Sequence, residues 1–197
     1  MEAAYFQAAI PEPVRIFGLR LLPLSLGRYR LLCRFGCAFV ADGEALATAG
    51  DLLLGILICS MRCAEWLEFV ESPESGDELA KLGQRIELEV AADPYFNLLE
   101  KFGLFKNYIE GACLQPKYWE EKEDEGPSGA HWSQSLEVTL RSELGYSTED
   151  IEEGPLSKAL ADFYKHAENH GLIRLMTDEE IRQVEEIEAQ KEVKCPA

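Results

Sequence analysis

Apolar residues recur at helical spacing over most of the chain. Ser25 is a predicted N-cap, and the helix that follows over 26–35 repeats its apolar side chains on one face. Thr48 is a second predicted N-cap with Asp51 three residues on, and no proline interrupts residues 49–70. This second helix is apolar all round in its first half and amphipathic in its second half, so we predict that it is the central helix of the core.

The same spacing predicts further helices after a polar break at 71–79. A short turn of helix is expected at 146–153 with Thr148 as its N-cap, and the last helix opens on a capping box of Thr177 and Glu180. The longer predicted helices lie at 80–91, 93–114, 133–145, 156–170 and 178–193. Together these patterns predict a mainly α fold, with a helical bundle-like domain and a helical C-terminal unit.

Two segments do not fit the helical pattern. Residues 15–22 are rich in apolar and β-branched side chains and predict a short strand, whose partner lies either within the fold or on another subunit. Residues 117–132 are acidic and contain glycine and proline, which predicts an exposed, flexible linker. We therefore expect a helical core domain at 1–116 and a C-terminal unit at 133–197.

Composition limits the partners that the chain can bind. The sequence has 36 acidic residues against 19 lysines and arginines, a net charge of −17 and a pI near 4.6. The mean field repels phosphate backbones and anionic lipid head groups, so neither nucleic acid nor membrane is expected as a partner. The longest apolar run, at 52–59, is too short to span a bilayer, and the first residues lack the pattern of a signal peptide. We expect a cytoplasmic protein whose six cysteines are free thiols.

The negative charge is uneven along the chain. Residues 1–70 contain seven acids and six arginines, and the first lysine is Lys81. These arginines either dock on an acidic partner, which can be the acidic part of the same chain, or simply solvate helix faces. The arginines concerned are Arg15, Arg20, Arg28, Arg30, Arg34 and Arg62.

Cysteines and histidines four residues apart on predicted helices are the candidates for metal binding. Four thiolates from two facing helices could bind zinc, but the apolar context favours small buried side chains instead. The cysteine pairs are Cys33 with Cys37 and Cys59 with Cys63. His166 and His170 have the same spacing, and their place near a helix C-terminus explains them without a metal. We predict no metal site.

The sequence contains no motif that predicts catalysis. It has no nucleophile elbow, no phosphate-binding loop and no dinucleotide-binding motif, and no carboxylate pair lies in an apolar setting. We therefore predict that the protein is not an enzyme and has neither catalytic residues nor a cofactor.

Two stretches resemble small helical proteins from the tail-morphogenesis gene clusters of tailed bacteriophages and prophages. The first is FGLRLLPLSLGRYRLLCRFGCAF followed by DLLLGILICS, where a short apolar strand and a Pro-x-Ser-x-Gly start precede two apolar helices. The second, GYSTEDIEEGPLSKALADFYKHAENHGL, is similar to stretches of tail assembly chaperones, where a turn of Gly, an aromatic residue and Ser or Thr precedes a Pro-Leu helix. The resemblance covers about a third of the chain and brings no catalytic residues.

The resemblance implies a protein that binds another phage protein, such as a tape measure or tail tube subunit, in the cytoplasm of a bacterial host. An acidic helical protein with a flexible linker is compatible with a chaperone-like holder of apolar helical segments. Two other functions remain open. The chain could be a structural virion component that forms homo-oligomers, or an acidic inhibitor or regulatory protein.

Five aromatic residues near the acidic linker are the candidate partner-binding residues. Tyr95, Phe102 and Phe105 belong to a strongly apolar helix face, and Trp119 and Trp132 flank the linker. The alternative is that these residues pack in the core.

Overall fold

The computed structural model describes residues 10–41, 46–73, 75–92, 97–120 and 131–194. Within these ranges the fold is mainly α with two short two-stranded sheets, as the hydrophobic spacing predicts. The helices are α1 (Leu26–Arg34), α2 (Ala49–Ser60), α3 (Cys63–Glu71), α4 (Ser75–Ala92), α5 (Asn97–Cys113), α6 (Trp132–Ser142), α7 (Thr148–Glu153), α8 (Leu156–Asn169) and α9 (Asp178–Lys194). The strands are β1 (Arg15–Ile16), β2 (Leu19–Arg20), β3 (Tyr118–Glu120) and β4 (Ile173–Leu175).

The predicted strand at 15–22 is a hairpin that pairs within the chain. β1 and β2 run antiparallel, with Ile16 opposite Leu19. Phe17 and Gly18 form the turn with φ of 48° and 71°, the left-handed conformation that a type I′ hairpin turn requires. A phenylalanine is strained at this φ, and the burial of its ring offsets the cost.

The prediction of one continuous helix over 49–70 is wrong, because the chain breaks between α2 and α3. Met61 and Arg62 are extended, with ψ of 158° and 151°. The Met61 carbonyl accepts a hydrogen bond of 3.0 Å from Nε of Arg28, and the Glu65 carboxylate accepts one of 2.9 Å from the Arg62 N–H. The first bond satisfies a carbonyl at the helix end, and the second caps a new helix start.

The helix caps follow the prediction at Thr48 and deviate by one residue at α7. Thr48 and Asp51 form a capping box, in which Asp51 N–H donates to the threonine hydroxyl at 3.2 Å and Thr48 N–H donates to the carboxylate at 2.8 Å. At α7 the N-cap is Ser147 and not Thr148, because the Ser147 hydroxyl accepts the Asp150 N–H at 3.1 Å. Both serine and threonine can cap a helix, so the sequence alone does not separate the two positions.

Part of the predicted linker at 117–132 is ordered structure. β3 pairs antiparallel with β4, and the ring of Tyr118 packs on Tyr164 of α8 with centroids 5.4 Å apart. This aromatic contact holds the first residues of the segment against the core. Residues 121–130 lie outside the described residues, so the flexible linker stays a prediction for that part.

One hydrophobic core draws residues from both predicted units, 1–116 and 133–197. α1, α2 and α8 contribute the largest groups of buried side chains. α1 and α5 pack against α2, and α8 packs against α5 and α6. Gly55 of α2 lies directly under the ring of Phe105, where a Cβ atom would come within 2.5 Å of the ring. The division into two units stays a prediction. If the C-terminal unit separated from the rest, the core side chains that the two units share would be exposed to solvent.

Of the long helices in the first half, α4 buries the fewest of its described side chains. It begins at Ser75, so part of the predicted break at 71–79 is helical. It contacts α3 on one side and α5 on the other, and Leu82 and Ile86 pack against the core. Leu88 is two residues beyond Ile86, which places it on the opposite side of the helix, and it is 73% exposed.

Candidate functional site

Arg28 of α1 is a buried cation with a matched set of acceptors. Its side chain is 1% exposed, Nε donates to the Met61 carbonyl at 3.0 Å, and Nη1 donates to the Pro23 carbonyl at 3.1 Å. Nη2 forms an ion pair with the carboxylate of Glu153, the last residue of α7. A buried guanidinium is tolerated when its nitrogens are paired in this way.

The acceptors of Arg28 belong to a larger cluster that joins α1, α3 and α7. The second carboxylate oxygen of Glu153 accepts the Cys63 N–H at 2.7 Å. The Glu152 carbonyl accepts from the Ser25 hydroxyl and, at 3.2 Å, from the Cys63 thiol. We call these five residues, Ser25, Arg28, Cys63, Glu152 and Glu153, the Arg28 cluster.

Both stretches that carry the phage resemblance meet at the Arg28 cluster. The Pro-x-Ser-x-Gly start supplies Gly27, where a Cβ atom would lie 2.8 Å from the Glu152 carbonyl oxygen and 2.8 Å from the Cys63 sulfur. The Leu156 N–H also donates to the Leu24 carbonyl at 2.7 Å. Close packing therefore accounts for the glycine at position 27, and hydrogen bonds account for Ser25 and Glu153.

Three of the arginines in the first third of the chain pair with carboxylates of the last third. This agrees with the alternative in which the acidic partner is the chain itself. The pairs are Arg28 with Glu153, Arg30 with Glu137, and Arg62 with Glu149. The pair of Arg62 is exposed on both sides, so it contributes little to stability, whereas the pair of Arg28 is buried.

The four aromatic candidates that the structure describes lie in separate places. Phe105 is fully buried, and its ring meets Phe39 edge-on with centroids 4.8 Å apart. Phe102 is half-buried and contacts the same ring, with centroids 5.7 Å apart. Tyr95 lies outside the described residues. Phe105 therefore serves the core, as the alternative interpretation holds, and Phe102 lies at the edge of the core.

The two tryptophans lie in different places. Trp119 is 42% exposed on β3, where it faces Arg174 across the β3–β4 ladder. Trp132 begins α6 and is 36% exposed, with its ring edge-on to Tyr29 of α1 at 5.0 Å between centroids. Both are partly exposed, and their role in partner binding stays a prediction.

An open cleft of about 480 Å³ lies between α1 and α6, next to Trp132. Tyr29, Arg30 and Glu137 line it. Arg30 is paired with Glu137 and donates to the Ser133 carbonyl at 2.9 Å, so its charge is matched. Burial raises the pKa of Tyr29 to about 12, which keeps the phenol neutral. The cleft therefore offers neither an unmatched cation nor an activated phenol to a ligand.

Four of the cysteine thiols are held in their protonated form. Burial raises the pKa of Cys37 and Cys63, and it raises the pKa of Cys59 to about 12 and that of Cys113 to about 11. Protonated, buried thiols are poor nucleophiles and poor metal ligands. These four cysteines act as small apolar side chains in the core.

The histidine pair and the acidic residues form no arranged metal centre in the described part of the chain. The ring of His166 on α8 and that of His170, which follows α8, lie 4.3 Å apart between centroids. Across the described ranges, no group of three or more His, Cys, Asp or Glu side chains is placed to hold a metal ion. In the same ranges, none of the helices has both the length and the apolar character needed to cross a bilayer.

The exposed side of α3 is the candidate binding surface. Leu67 and Val70 are 47% and 45% exposed, although α3 packs on the core through Cys63 and Trp66. Together with Glu68 and Glu71 they form what we call the α3 face. The sequence signal for this surface is WLEFVE, which has more apolar positions than one buried helix face can use.

A comparison of the chain with protein-family models, with curated proteins and with solved structures finds no match. The relationship to phage tail-cluster proteins therefore stays a prediction that is argued from the two motif stretches.

Proposed function

We propose that this chain is a tail assembly protein of a phage or prophage, which acts in the bacterial cytoplasm by binding another tail protein and performs no catalysis. The observation that carries the proposal is the α3 face, where Leu67 and Val70 remain exposed on a helix that is otherwise anchored to the core. Neighbouring exposed apolar side chains on one helix support a role for that face in protein binding.

The size of the α3 face fits reversible binding. Covering the exposed halves of one leucine and one valine contributes about 1.5–3 kcal/mol in total, at the usual value for burial of such side chains. A contact of this size needs further contacts on both sides to become a stable complex. A chaperone-like protein that holds an apolar helical segment and then releases it has this requirement.

The Arg28 cluster also supports the proposal, because it serves the fold and leaves partner binding to other residues. Four of its five residues, Ser25, Arg28, Glu152 and Glu153, lie in the two motif stretches, and the guanidinium of Arg28 and the carboxylate of Glu153 are used inside the fold. Partner recognition then belongs to a different part of the surface. The tape measure and the tail tube subunit are the proposed partners, because the resemblance points to the gene cluster that encodes them.

The test is co-expression of the tagged chain with tape measure and tail tube proteins, followed by purification and light scattering. We expect a monomer or small oligomer when the chain is alone, and a defined complex when one of these partners is present. Large regular assemblies formed by the chain alone would contradict a chaperone-like role and would favour a structural virion component.

A further inference from the structure

The α3 face lies on a helix that also contacts the end of α1 through an aromatic pair. Leu67 and Val70 lie three residues apart, so they project from the same side of α3. The neighbouring Trp66 is buried and meets the ring of Phe35 edge-on, with centroids 5.6 Å apart. Phe35 follows α1 and is itself 39% exposed. Phe35 is therefore a further partly exposed apolar side chain that contacts α3.

Every charged side chain within α3 is a glutamate. Glu65 is used at the start of the helix, where its carboxylate accepts the Arg62 N–H. Glu68 and Glu71 are exposed, and neither forms an ion pair with any residue that the structure describes. The nearest cation in sequence, Arg62, is already paired with Glu149 at 2.9 Å. Two unpaired carboxylates thus flank two exposed apolar side chains.

We propose that the α3 face docks a cationic amphipathic helix of the partner. Leucine or valine side chains of that helix cover Leu67 and Val70, and its lysines or arginines pair with Glu68 and Glu71. Helices dock on helices through side chains spaced three and four apart, which is the spacing of this face. The inference rests on the proposed function and adds the chemistry of the segment that is bound.

Charge argues against a second copy of the chain as the occupant of the α3 face. A symmetric contact would place Glu68 and Glu71 against the same residues of the other copy. The chain also carries a net charge of −17, so two copies repel each other before they meet. For a cationic partner both features are favourable, because the glutamates attract its positive charges and the acidic field of the chain raises its association rate.

The probe for this inference is a synthetic helical peptide of about 18 residues, long enough to fold on a surface. It carries leucines at positions i, i+3, i+4 and i+7 with lysines on both flanks. Its binding to the full-length chain is measured by fluorescence anisotropy at low and at physiological salt. We expect saturable binding, and a peptide with the same leucines but glutamates on the flanks should bind at least about tenfold more weakly.

Two variants separate the apolar and the charged parts of the face. Leu67→Ser with Val70→Ser should weaken peptide binding at least about tenfold, as expected for anchor residues. Glu68→Lys with Glu71→Lys should do the same and should remove most of the salt dependence. All four side chains are exposed, so the denaturation midpoint should remain that of the wild type.

The matched control changes net charge by the same amount elsewhere. Glu179→Lys with Glu186→Lys alters two exposed acids of α9, and peptide affinity should stay within about twofold of the wild type. An equal loss of affinity in this control would overturn the inference, because binding would then follow total charge. Unchanged affinity in the α3 variants would overturn it as well.

Co-expression distinguishes the failure of this inference from the failure of the proposed function. If L67S/V70S captures the same tail protein as the wild type, the α3 face is not the docking site and the proposed function stands. If no tail protein is captured but the peptide binds through the α3 face, the proposed function fails and the inference holds. If light scattering shows a dimer that L67S/V70S dissociates, the occupant is a second copy and the inference is overturned.

Discussion

The two ends of α3 use their side chains in opposite ways. At its start, the Cys63 N–H donates to Glu153 and its thiol donates to Glu152, so this end is fixed inside the Arg28 cluster. In the half that follows, Leu67 and Val70 are exposed beside glutamates. The start of the helix is thus hydrogen-bonded within the fold, and its second half is exposed, where we propose that a partner binds. Mutations at the first end should therefore cost stability, and mutations at the second should cost binding.

Arg28→Met should have the largest effect on stability. It leaves the Met61 and Pro23 carbonyls without this donor, and it removes the guanidinium that pairs with Glu153, which keeps only the bond from the Cys63 N–H. Loss of one partner of a buried ion pair costs about 3–5 kcal/mol of unfolding free energy. Chemical denaturation measures this loss of unfolding free energy. Glu153→Gln is the milder variant, since the amide oxygen can still accept the Cys63 N–H. A loss below about 1 kcal/mol for Arg28→Met would contradict the role of the cluster.

Gly55→Ala should have the next largest effect. The new Cβ would lie 2.5 Å and 2.6 Å from two ring atoms of Phe105, so α2 and α5 would have to separate. Overpacking of this kind costs about 1–3 kcal/mol, and a second change, Phe105→Leu, should recover part of it. Gly111→Ala on α5 is the matched control, because nothing lies within 4 Å of its added Cβ. It should stabilise the protein by up to about 1 kcal/mol through helix propensity.

Tyr146→Phe tests whether the tyrosine of the second motif stretch acts in the fold. The Tyr146 hydroxyl donates to Asp162 and accepts from Lys158 at 2.8 Å, so its loss should cost about 1 kcal/mol. Burial raises the pKa of Tyr146 from 10 to about 12. The folded state therefore binds this proton more tightly, and its contribution to stability declines as pH rises from 10 towards 12. Denaturation across this range should show the decline in the wild type and a weaker decline in Tyr146→Phe.

The smallest expected effect belongs to Glu180 near the start of α9. The guanidinium of Arg174 binds its carboxylate at 2.7 Å and 3.2 Å and lowers its pKa from 4.5 to about 2. The stabilisation is complete above pH 4.5 and is lost as pH falls towards 2. Arg174→Gln should return the pKa towards 4.5, as followed by NMR titration. A pKa that stays near 2 in this variant would show that the capping contacts with Thr177 suffice.

Local signals in the sequence predict most of the fold. Caps such as the Thr48 box and the Thr177–Glu180 box involve residues three apart, so their chemistry can be read directly. The break at Met61 can be read only in part, because Glu65 caps the new helix locally but the donor to the Met61 carbonyl is Arg28, 33 residues earlier. Arg28 itself looks like a solvated residue in the sequence, and only the tertiary structure brings Glu153 to it.

The same distinction applies to the candidate site residues. Aromatic character alone does not tell a core ring from a binding ring, and Phe105 is a core ring because Gly55 makes room for it. The α3 face was missed because Leu67 and Val70 continue an apolar run that the sequence assigns to one central helix. The turn at Met61 and Arg62 gives the second half of that run its own direction.

The pairing of Arg28 with Glu153 joins residues that are 125 positions apart in the chain. During synthesis the arginine leaves the ribosome long before its carboxylate exists, and a guanidinium without a partner is not buried. The core therefore closes only after α7 has emerged, which makes folding late and dependent on contacts distant in sequence. Until then the apolar side chains of α2 are exposed and can contact other chains. A protein proposed to shield the helices of others thus needs the same protection while it is being made.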